Sequence, residues 1–131
     1  MEKKKYIIYT KEKGKIETDN CDDFKDLTRH KVDGPAIQRF YDNGQLLRAQ
    51  YYINGKRHRE DGPAHQRFYA NAQLYFESYW LNGKMHRLDG PAYQGFYDDG
   101  QIEDEEYYIN GIYYSKSEYE TELFKMKLAL L

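Results

Sequence analysis

Hydrophobic and polar residues alternate with a period of two along most of this chain, and the pattern recurs in three similar copies. Each copy opens on Asp-Gly-Pro-Ala, and the openings at Asp33, Asp61 and Asp89 lie 28 residues apart. Eleven of the 28 positions carry the same residue in all three copies. A fixed period of this length is typical of repeat proteins, whose units bury their apolar faces by stacking on their neighbours.

Within a copy, the alternation predicts a first strand whose two faces differ. Ala36, Gln38 and Phe40 share one face, and the same residue types recur unchanged in the other two copies. The residues between them, such as Ile37 and Arg39, vary from copy to copy. Because side chains alternate across a strand, one face is constant while the other is partly free to change. We expect the constant face to be the packed one.

Turn signals separate the strands of each copy. Asp42-Asn43-Gly44 and Asp98-Asp99-Gly100 supply residues that tolerate a positive φ, whereas the second copy has Asn71-Ala72, which we expect to be slightly strained. Asn-Gly ends the second strand of every copy and predicts a type I′ turn. Proline cannot donate a hydrogen bond to a sheet ladder, so each Asp-Gly-Pro is expected at a bulge, a kink or an edge.

Both ends of the chain depart from this repeat. Residues 6–9 and 13–16 predict a degenerate hairpin that covers one end of the sheet. Ser115-Lys116-Ser117-Glu118 fits the start of a helix, because serine and glutamate three residues apart can form a capping box. The apolar residues of this helix form one stripe, Tyr119, Leu123, Met126 and Leu130. We expect the helix to fold over the open end of the sheet, with a homodimer contact through its apolar end as the alternative.

The predicted fold is mainly β: a single-layer antiparallel β-hairpin repeat meander followed by one α-helix. We assign residues 1–131 to one domain. It consists of an N-terminal capping hairpin at 1–27, three 28-residue repeats at 28–112 and a C-terminal helix at 113–131.

Tyrosine and the distribution of charge are the unusual features of the composition. Tyrosine accounts for 15 of 131 residues, which suits a thin sheet because each ring buries area while its hydroxyl needs water or a partner. The net charge of −2 hides an excess of basic residues in 1–70 and of acidic residues in 71–131. An elongated molecule of this kind is positive at one end and negative at the other, which favours head-to-tail contact or a charged partner.

The cysteine content and the N-terminus predict the compartment. The single Cys21 excludes an intramolecular disulfide and fits a reducing environment. The basic N-terminus is followed by only a short apolar run, so we expect neither a signal peptide nor a transmembrane span. We predict a cytoplasmic protein that does not bind membranes.

The repeat unit resembles a viral repeat. The resemblance is carried by His58-Arg59-Glu60-Asp61-Gly62-Pro63-Ala64, by the aromatic strand that follows, and by Tyr-Tyr-x-Asn-Gly-Lys at the end of a unit. Such units resemble the repeats of small proteins from bacteriophages and giant DNA viruses, which are similar to a diverged MORN hairpin repeat. The resemblance covers residues 28–120. It implies a single-layer hairpin sheet, a binding or scaffolding role and, if the protein is phage-encoded, the cytoplasm of a host; it carries over no catalytic residue.

Histidine recurs in every copy as His30, His58 and His86, each followed by a basic residue and then by Asp-Gly. One interpretation is a ladder of basic groups that binds phosphates or another anionic surface. The other is structural: the histidine, or a basic residue such as Arg59 or Arg87, pairs with the aspartate and fixes the kink. Successive histidines are expected about 10 Å apart, which is too far for a shared metal site, so we predict no metal.

A second candidate site combines aromatic and basic residues: Tyr52, Trp80 and Tyr108 with Arg39, Arg48 and Arg67. Exposed rings flanked by cations stack on nucleic-acid bases. The sequence pI of about 6.1 and the acidic run Glu103, Asp104, Glu105 and Glu106 argue against nucleic acid, because acidic groups repel phosphate. The same run is either a mimic of nucleic acid towards a basic protein or a solvated strand face.

Motifs of catalysis are absent from the sequence. It has no phosphate-binding glycine loop, no His-Glu-x-x-His and no Gly-x-Ser-x-Gly, and Cys21 stands beside two aspartates, an unfavourable setting for a nucleophilic thiolate. We therefore predict a non-enzymatic protein without a cofactor that binds another protein through its sheet face or its charged ends. The viral resemblance suggests a phage factor that inhibits a host or defence protein. The alternative is a nucleotide or nucleic-acid binding module that uses the aromatic and basic face.

Overall fold

The computed structural model of the protein describes residues 4–131. In this part of the chain the strands are followed by one α-helix, α1, at Lys116–Ala129, and a turn of 3₁₀ helix at Cys21–Asp23 follows the second strand. The strands are β1 (Tyr6–Thr10), β2 (Gly14–Thr18), β3 (Ile37–Phe40), β4 (Leu46–Gln50), β5 (Tyr52–Ile53), β6 (Lys56–Arg57), β7 (His65–Phe68), β8 (Leu74–Ser78), β9 (Trp80–Leu81), β10 (Lys84–Met85), β11 (Tyr93–Phe96), β12 (Ile102–Ile109) and β13 (Ile112–Tyr114).

Most of these strands belong to one antiparallel sheet of nine, in the order β2-β1-β3-β4-β7-β8-β11-β12-β13. The others form two short hairpins, β5 with β6 and β9 with β10. Strands β3, β7 and β11 begin at Ile37, His65 and Tyr93, so the same hairpin recurs every 28 residues. The expected N-terminal hairpin is β1–β2, which joins the sheet through β1 and β3. The prediction of a mainly β hairpin meander with a C-terminal helix is confirmed.

The Asn-Gly turns have the conformation that the sequence predicts. In the first copy, Asn54 and Gly55 have φ values of 50° and 78°, and in the second copy Asn82 and Gly83 have φ values of 50° and 81°. A positive φ at both central residues defines the type I′ turn, whose twist matches that of the flanking strands. These turns therefore close the short hairpins without distorting them.

The turn between β7 and β8 places alanine where the other copies place glycine. Ala72 has a φ of 71°, and the equivalent Gly44 and Gly100 have φ values of 87° and 88°. A residue with a Cβ is disfavoured in this left-handed region by about 1–2 kcal/mol. The strain expected for the turn of the second copy is therefore present.

We expect Ala72→Gly to raise the free energy of unfolding by about 0.5–1 kcal/mol, because the relief of strain exceeds the extra backbone entropy of glycine. Urea denaturation at pH 7 measures the change. Gly44→Ala is the matched control, since a Cβ added at Gly44 meets no atom within 4 Å and only the backbone conformation is affected. It should destabilise by a similar amount, and a destabilising Ala72→Gly would contradict the account of strain.

The hydrophobic core lies at the N-terminal end of the sheet, on the face whose residues vary between copies. Ile8, Phe24 and Ile37 form its buried cluster. On the constant face, Gln38 is half-buried, although Ala36 at the start of the same strand is fully buried. The expectation that the constant face is the packed one is therefore wrong at this end, because the segment that carries Phe24 folds onto the variable face.

The C-terminal helix is anchored by its first turns. The Ser115 side chain caps it by accepting a 3.2 Å hydrogen bond from the backbone N–H of Glu118, as the sequence predicts. Tyr119 is buried and Leu123 is half-buried, but Met126 and Leu130 are exposed, Leu130 by 88%. The helix therefore covers the end of the sheet with its first two turns only, because the rest of its apolar stripe has no surface beneath it. Within residues 4–131, no helix is long and apolar enough to span a membrane.

Candidate functional site

Arginines gather on one face of the sheet. The register places Arg39 directly opposite Arg48 across β3 and β4, and Arg48 directly opposite Arg67 across β4 and β7. Directly opposed side chains lie on the same face with Cβ atoms about 5 Å apart, so these three residues form a row, the arginine row. Arg57 reaches the same face, since its Nη2 donates a 3.3 Å hydrogen bond to Oε1 of Gln50, two residues beyond Arg48. Like charges placed opposite each other destabilise a sheet, so this row requires an explanation.

These arginines lack acidic partners among the described residues. None of the salt bridges found there involves the arginine row, Arg57 or the nearby Arg29. Arg57 does donate hydrogen bonds, to Gln50 and, at 3.1 Å, to the hydroxyl of Tyr52. The Nε atoms of Arg29, Arg48 and Arg57 are nevertheless buried without a hydrogen-bond partner in residues 4–131. A buried donor without a partner costs about 1–3 kcal/mol, and more when it is charged.

The electrostatics of the face reflect this crowding. Burial lowers the pKa of Arg48, and the charges of Arg67, Arg39 and Arg57 lower it further. Burial also lowers the pKa of His65 to about 3, with further contributions from the charges of Arg57, Arg48 and Arg67. His65 is therefore neutral at pH 7. It stands among cations with its Nε2 buried and without a partner in the described part of the chain.

The aromatic ladder Tyr52, Trp80 and Tyr108 is packed and half-buried. The guanidinium carbon of Arg57 lies 5.6 Å from the centre of the Tyr52 ring and 4.8 Å from that of Trp80. Arg29 lies 5.7 Å from the Tyr52 ring on its other side along the chain. The sequence-based pairing of this ladder with Arg39, Arg48 and Arg67 is thus wrong: the cations that contact it are Arg29 and Arg57, because the short hairpin brings β6 against β5 and the next hairpin.

A groove opens at the N-terminal end of the arginine face. Its volume is about 230 Å³. It is lined by Tyr6, Cys21, Phe24, Arg29, Ile37, Arg39, Arg48, Gln50 and Tyr52. The lining combines three arginines with aromatic rings and includes no carboxylate, so the groove is suited to an anionic group.

The same face becomes acidic towards the other end of the sheet. The cross-strand row that contains Arg67 continues through Phe76 and Gly95 to Asp104 on β12. Glu106, two residues further along β12, shares this face with Asp104. Glu105, between them, lies on the opposite face, where its side chain accepts a 2.8 Å hydrogen bond from Gln94. The acidic run of the sequence, Glu103, Asp104, Glu105 and Glu106, is therefore divided between the two faces.

The repeated histidines connect successive copies. Each accepts a 2.9 Å hydrogen bond at Nδ1 from the backbone N–H of the asparagine in the following Asn-Gly turn, in the pairs His30–Asn54, His58–Asn82 and His86–Asn110. An imidazole that accepts at Nδ1 carries its proton on Nε2 and is neutral. This arrangement favours the structural interpretation over a ladder of positive charges. Within residues 4–131, no group of three or more His, Cys, Asp or Glu side chains could hold a metal ion.

The arginines that follow these histidines fix the kink. Nε of Arg59 donates to Oδ1 of Asp61 at 3.1 Å, and its Nη1 donates to the carbonyl of Pro63 at 3.1 Å. The guanidinium lies 4.1 Å above the ring of Tyr51. Arg87 repeats the arrangement 28 residues later with Asp89, Pro91 and Tyr79. Arg59 and Arg87 thus belong to the joints between copies, as the structural interpretation predicts.

Sequence reasoning missed the roles of Arg29, Arg57 and His65 in the arginine face. A signal was available for His65, which shares strand parity with Arg67 and faces β4 of the preceding copy. Assigning the register between copies would have placed His65 opposite Gln50. No periodic pattern marks Arg29, since it precedes the first repeat.

Comparison with known proteins adds no name: no protein-family model, no curated protein and no solved structure matches this chain. The fold and the site define the class, an antiparallel hairpin-repeat sheet with a cationic groove at one end and acidic residues at the other. The resemblance to viral repeat proteins stays a prediction.

Proposed function

We propose that the protein is a non-enzymatic module that binds a partner protein along its charge-divided sheet face. The observation that carries this proposal is that arginines without acidic partners and the acidic Asp104 and Glu106 occupy opposite ends of one face. A partner with an acidic patch followed by a basic patch complements both ends. Electrostatic complementarity of this kind accelerates association and fixes the orientation of the complex.

An extended nucleic acid fits this face less well. A strand held by the arginine row and continued along the sheet would meet Asp104 and Glu106, whose charges repel phosphate. The aromatic ladder is also engaged with Arg29 and Arg57, so its rings offer no free platform for bases. The divided charge therefore favours a protein partner. With the viral resemblance, the proposal extends to a host or defence protein that is bound and inhibited in the cytoplasm.

Affinity capture from a host lysate tests the proposal. We expect the immobilised protein to retain a partner that is lost with the double variant Arg48→Glu, Arg67→Glu and with the double variant Asp104→Lys, Glu106→Lys. Retention should weaken as salt rises, because the contacts are charged and partly exposed.

The matched control is the double variant Lys13→Glu, Lys116→Glu, which makes the same charge change at exposed positions outside the arginine face. It should retain the partner. Equal recovery on all the variants, or no partner recovered on the wild-type protein, would overturn the proposal. Thermal denaturation of each variant shows that a loss of binding is not a loss of folding.

A further inference from the structure

The groove at the N-terminal end of the arginine face has a charge that nothing around it balances. Arg29, Arg39 and Arg48 line it, and no carboxylate does. Nε of Arg29 and Nε of Arg48 are both buried without a partner among residues 4–131. A folded protein rarely leaves charged donors in this state unless a ligand satisfies them, because each one costs stability.

Aromatic rings hold two of these guanidinium groups in place. Arg39 lies 5.4 Å from the centre of the Tyr6 ring, and Arg29 lies 6.0 Å from that of Phe24. Stacking uses the flat face of a guanidinium and leaves the five N–H donors at its edge available. The arginines are therefore positioned before any ligand arrives, which lowers the entropy lost on binding.

The number of charges and donors selects the chemistry of the ligand. A carboxylate carries one negative charge and two oxygens, and a single arginine satisfies it in the bidentate geometry. A phosphate monoester carries about −1.5 to −2 charges at pH 7 and three strongly accepting oxygens. Three converging arginines match the phosphate better than the carboxylate.

The size of the groove limits how much of the ligand it holds. Its volume of about 230 Å³ lies below the roughly 300–1,000 Å³ of sites that enclose a drug-sized molecule. It has room for a phosphate and the part of the molecule next to it, with Tyr6 and Tyr52 as walls. The remainder of a larger ligand would extend out of the groove into solvent.

We propose that this groove is an oxyanion pocket that binds the phosphate monoester group of a small molecule, with Arg29, Arg39 and Arg48 as its donors. The inference does not depend on the proposed partner protein. The two are connected, because a small phosphate and the acidic patch of a partner would compete for Arg48.

Binding of inorganic phosphate and of AMP to the isolated protein tests the pocket. Thermal shift and isothermal titration are performed at constant ionic strength in chloride, with acetate as the carboxylate probe and adenosine as the probe without phosphate. We expect phosphate and AMP to stabilise the protein, acetate to do so more weakly, and adenosine to have no effect. Stabilisation by adenosine equal to that by AMP, or no stabilisation by phosphate, would overturn the proposal.

Arg48→Gln and Arg29→Gln should each weaken phosphate binding about tenfold or more, as expected for the loss of a charge-assisted hydrogen bond. Lys13→Gln removes the same charge from an exposed turn and should bind phosphate like the wild-type protein. Arg48→Gln should also raise the melting temperature of the ligand-free protein at low salt, because it relieves repulsion within the arginine row. Equal phosphate affinity in all three variants would show only general attraction to a positive surface and would sink the proposal.

This experiment separates the two proposals. Phosphate affinity that depends on Arg48, in a protein that retains no partner from the lysate, would support the pocket alone. A partner that is lost on the double arginine variant while phosphate has no effect would support the partner-binding face alone.

Discussion

Replacing Tyr119 by alanine should lower the free energy of unfolding by about 3–4 kcal/mol, the usual cost of deleting a buried aromatic side chain. Only 3% of Tyr119 is exposed. Its ring centre lies 4.8 Å from that of Tyr107, and its hydroxyl donates to the carbonyl of Arg87 at 2.6 Å. The hydroxyl also accepts a 3.3 Å hydrogen bond from the N–H of Gly90. Removal of the ring would therefore leave both a cavity and backbone groups without partners.

The effect is large because Tyr119 closes the last copy of the repeat. In the preceding copies the ring of Tyr51 is covered by Arg59 and the ring of Tyr79 by Arg87, at 4.1 and 4.0 Å. Tyr107 is the equivalent ring of the third copy, and no further repeat follows to supply an arginine. The helix supplies Tyr119 instead, as terminal units of repeat proteins cap an otherwise open end.

Urea denaturation of two further variants separates the ring from the hydroxyl and from the helix. Tyr119→Phe keeps the ring and should cost about 1–2 kcal/mol for the lost hydrogen bonds. Leu130→Ala changes an apolar residue of the same helix that is 88% exposed, and it should alter stability by less than about 0.5 kcal/mol. If Tyr119→Ala cost no more than Leu130→Ala, the helix would not cap the sheet.

Local signals in the sequence were sufficient for the elements of the fold. The Asn-Gly pairs determine type I′ turns through the positive φ that their residues tolerate, and Ser115 caps α1 through a contact only three residues long. Such interactions depend on neighbours in the chain. A sequence therefore predicts them without knowledge of the tertiary structure.

The site depends instead on contacts between residues that are distant in sequence. Arg48 meets Arg67 only because β4 pairs with β7 in one particular register, and a shift by one residue would move either arginine to the other face. Arg29 reaches the groove from a segment with no periodic pattern. The packed face was also mispredicted, since constancy across copies marked the joints between repeats, where Ala36 is buried, and did not mark the main hydrophobic cluster.

The second large effect concerns pH: His65 should make the protein less stable as the pH falls below about 6.5. The pKa of His65 is about 3 in the folded protein, while an unfolded histidine has a pKa of about 6.5. Between these values the unfolded state binds one more proton than the folded state. Stability therefore rises with pH across this window and falls as the pH is lowered, by about 1.4 kcal/mol per unit.

The physical cause is the set of groups that faces His65 on the arginine face. Arg57, Arg48 and Arg67 oppose a fourth positive charge, and burial removes the water that would solvate it. The neighbouring Phe76 ring, 4.8 Å away in an edge-on arrangement, offers no anionic partner. Protonation in the folded state is therefore unfavourable until the pH is close to 3.

The variant His65→Tyr places at this position the residue that the third copy carries as Tyr93, which does not titrate in the acidic range. From pH 6.5 to 5, the wild-type protein should lose about 2 kcal/mol more stability than this variant. Urea denaturation at half-unit pH steps measures the difference, and an NMR titration of the imidazole protons follows His65 directly, with His30, His58 and His86 as internal comparisons. Parallel stability curves for the two proteins, or a His65 resonance that titrates near pH 6.5, would show that the arginines do not suppress its protonation.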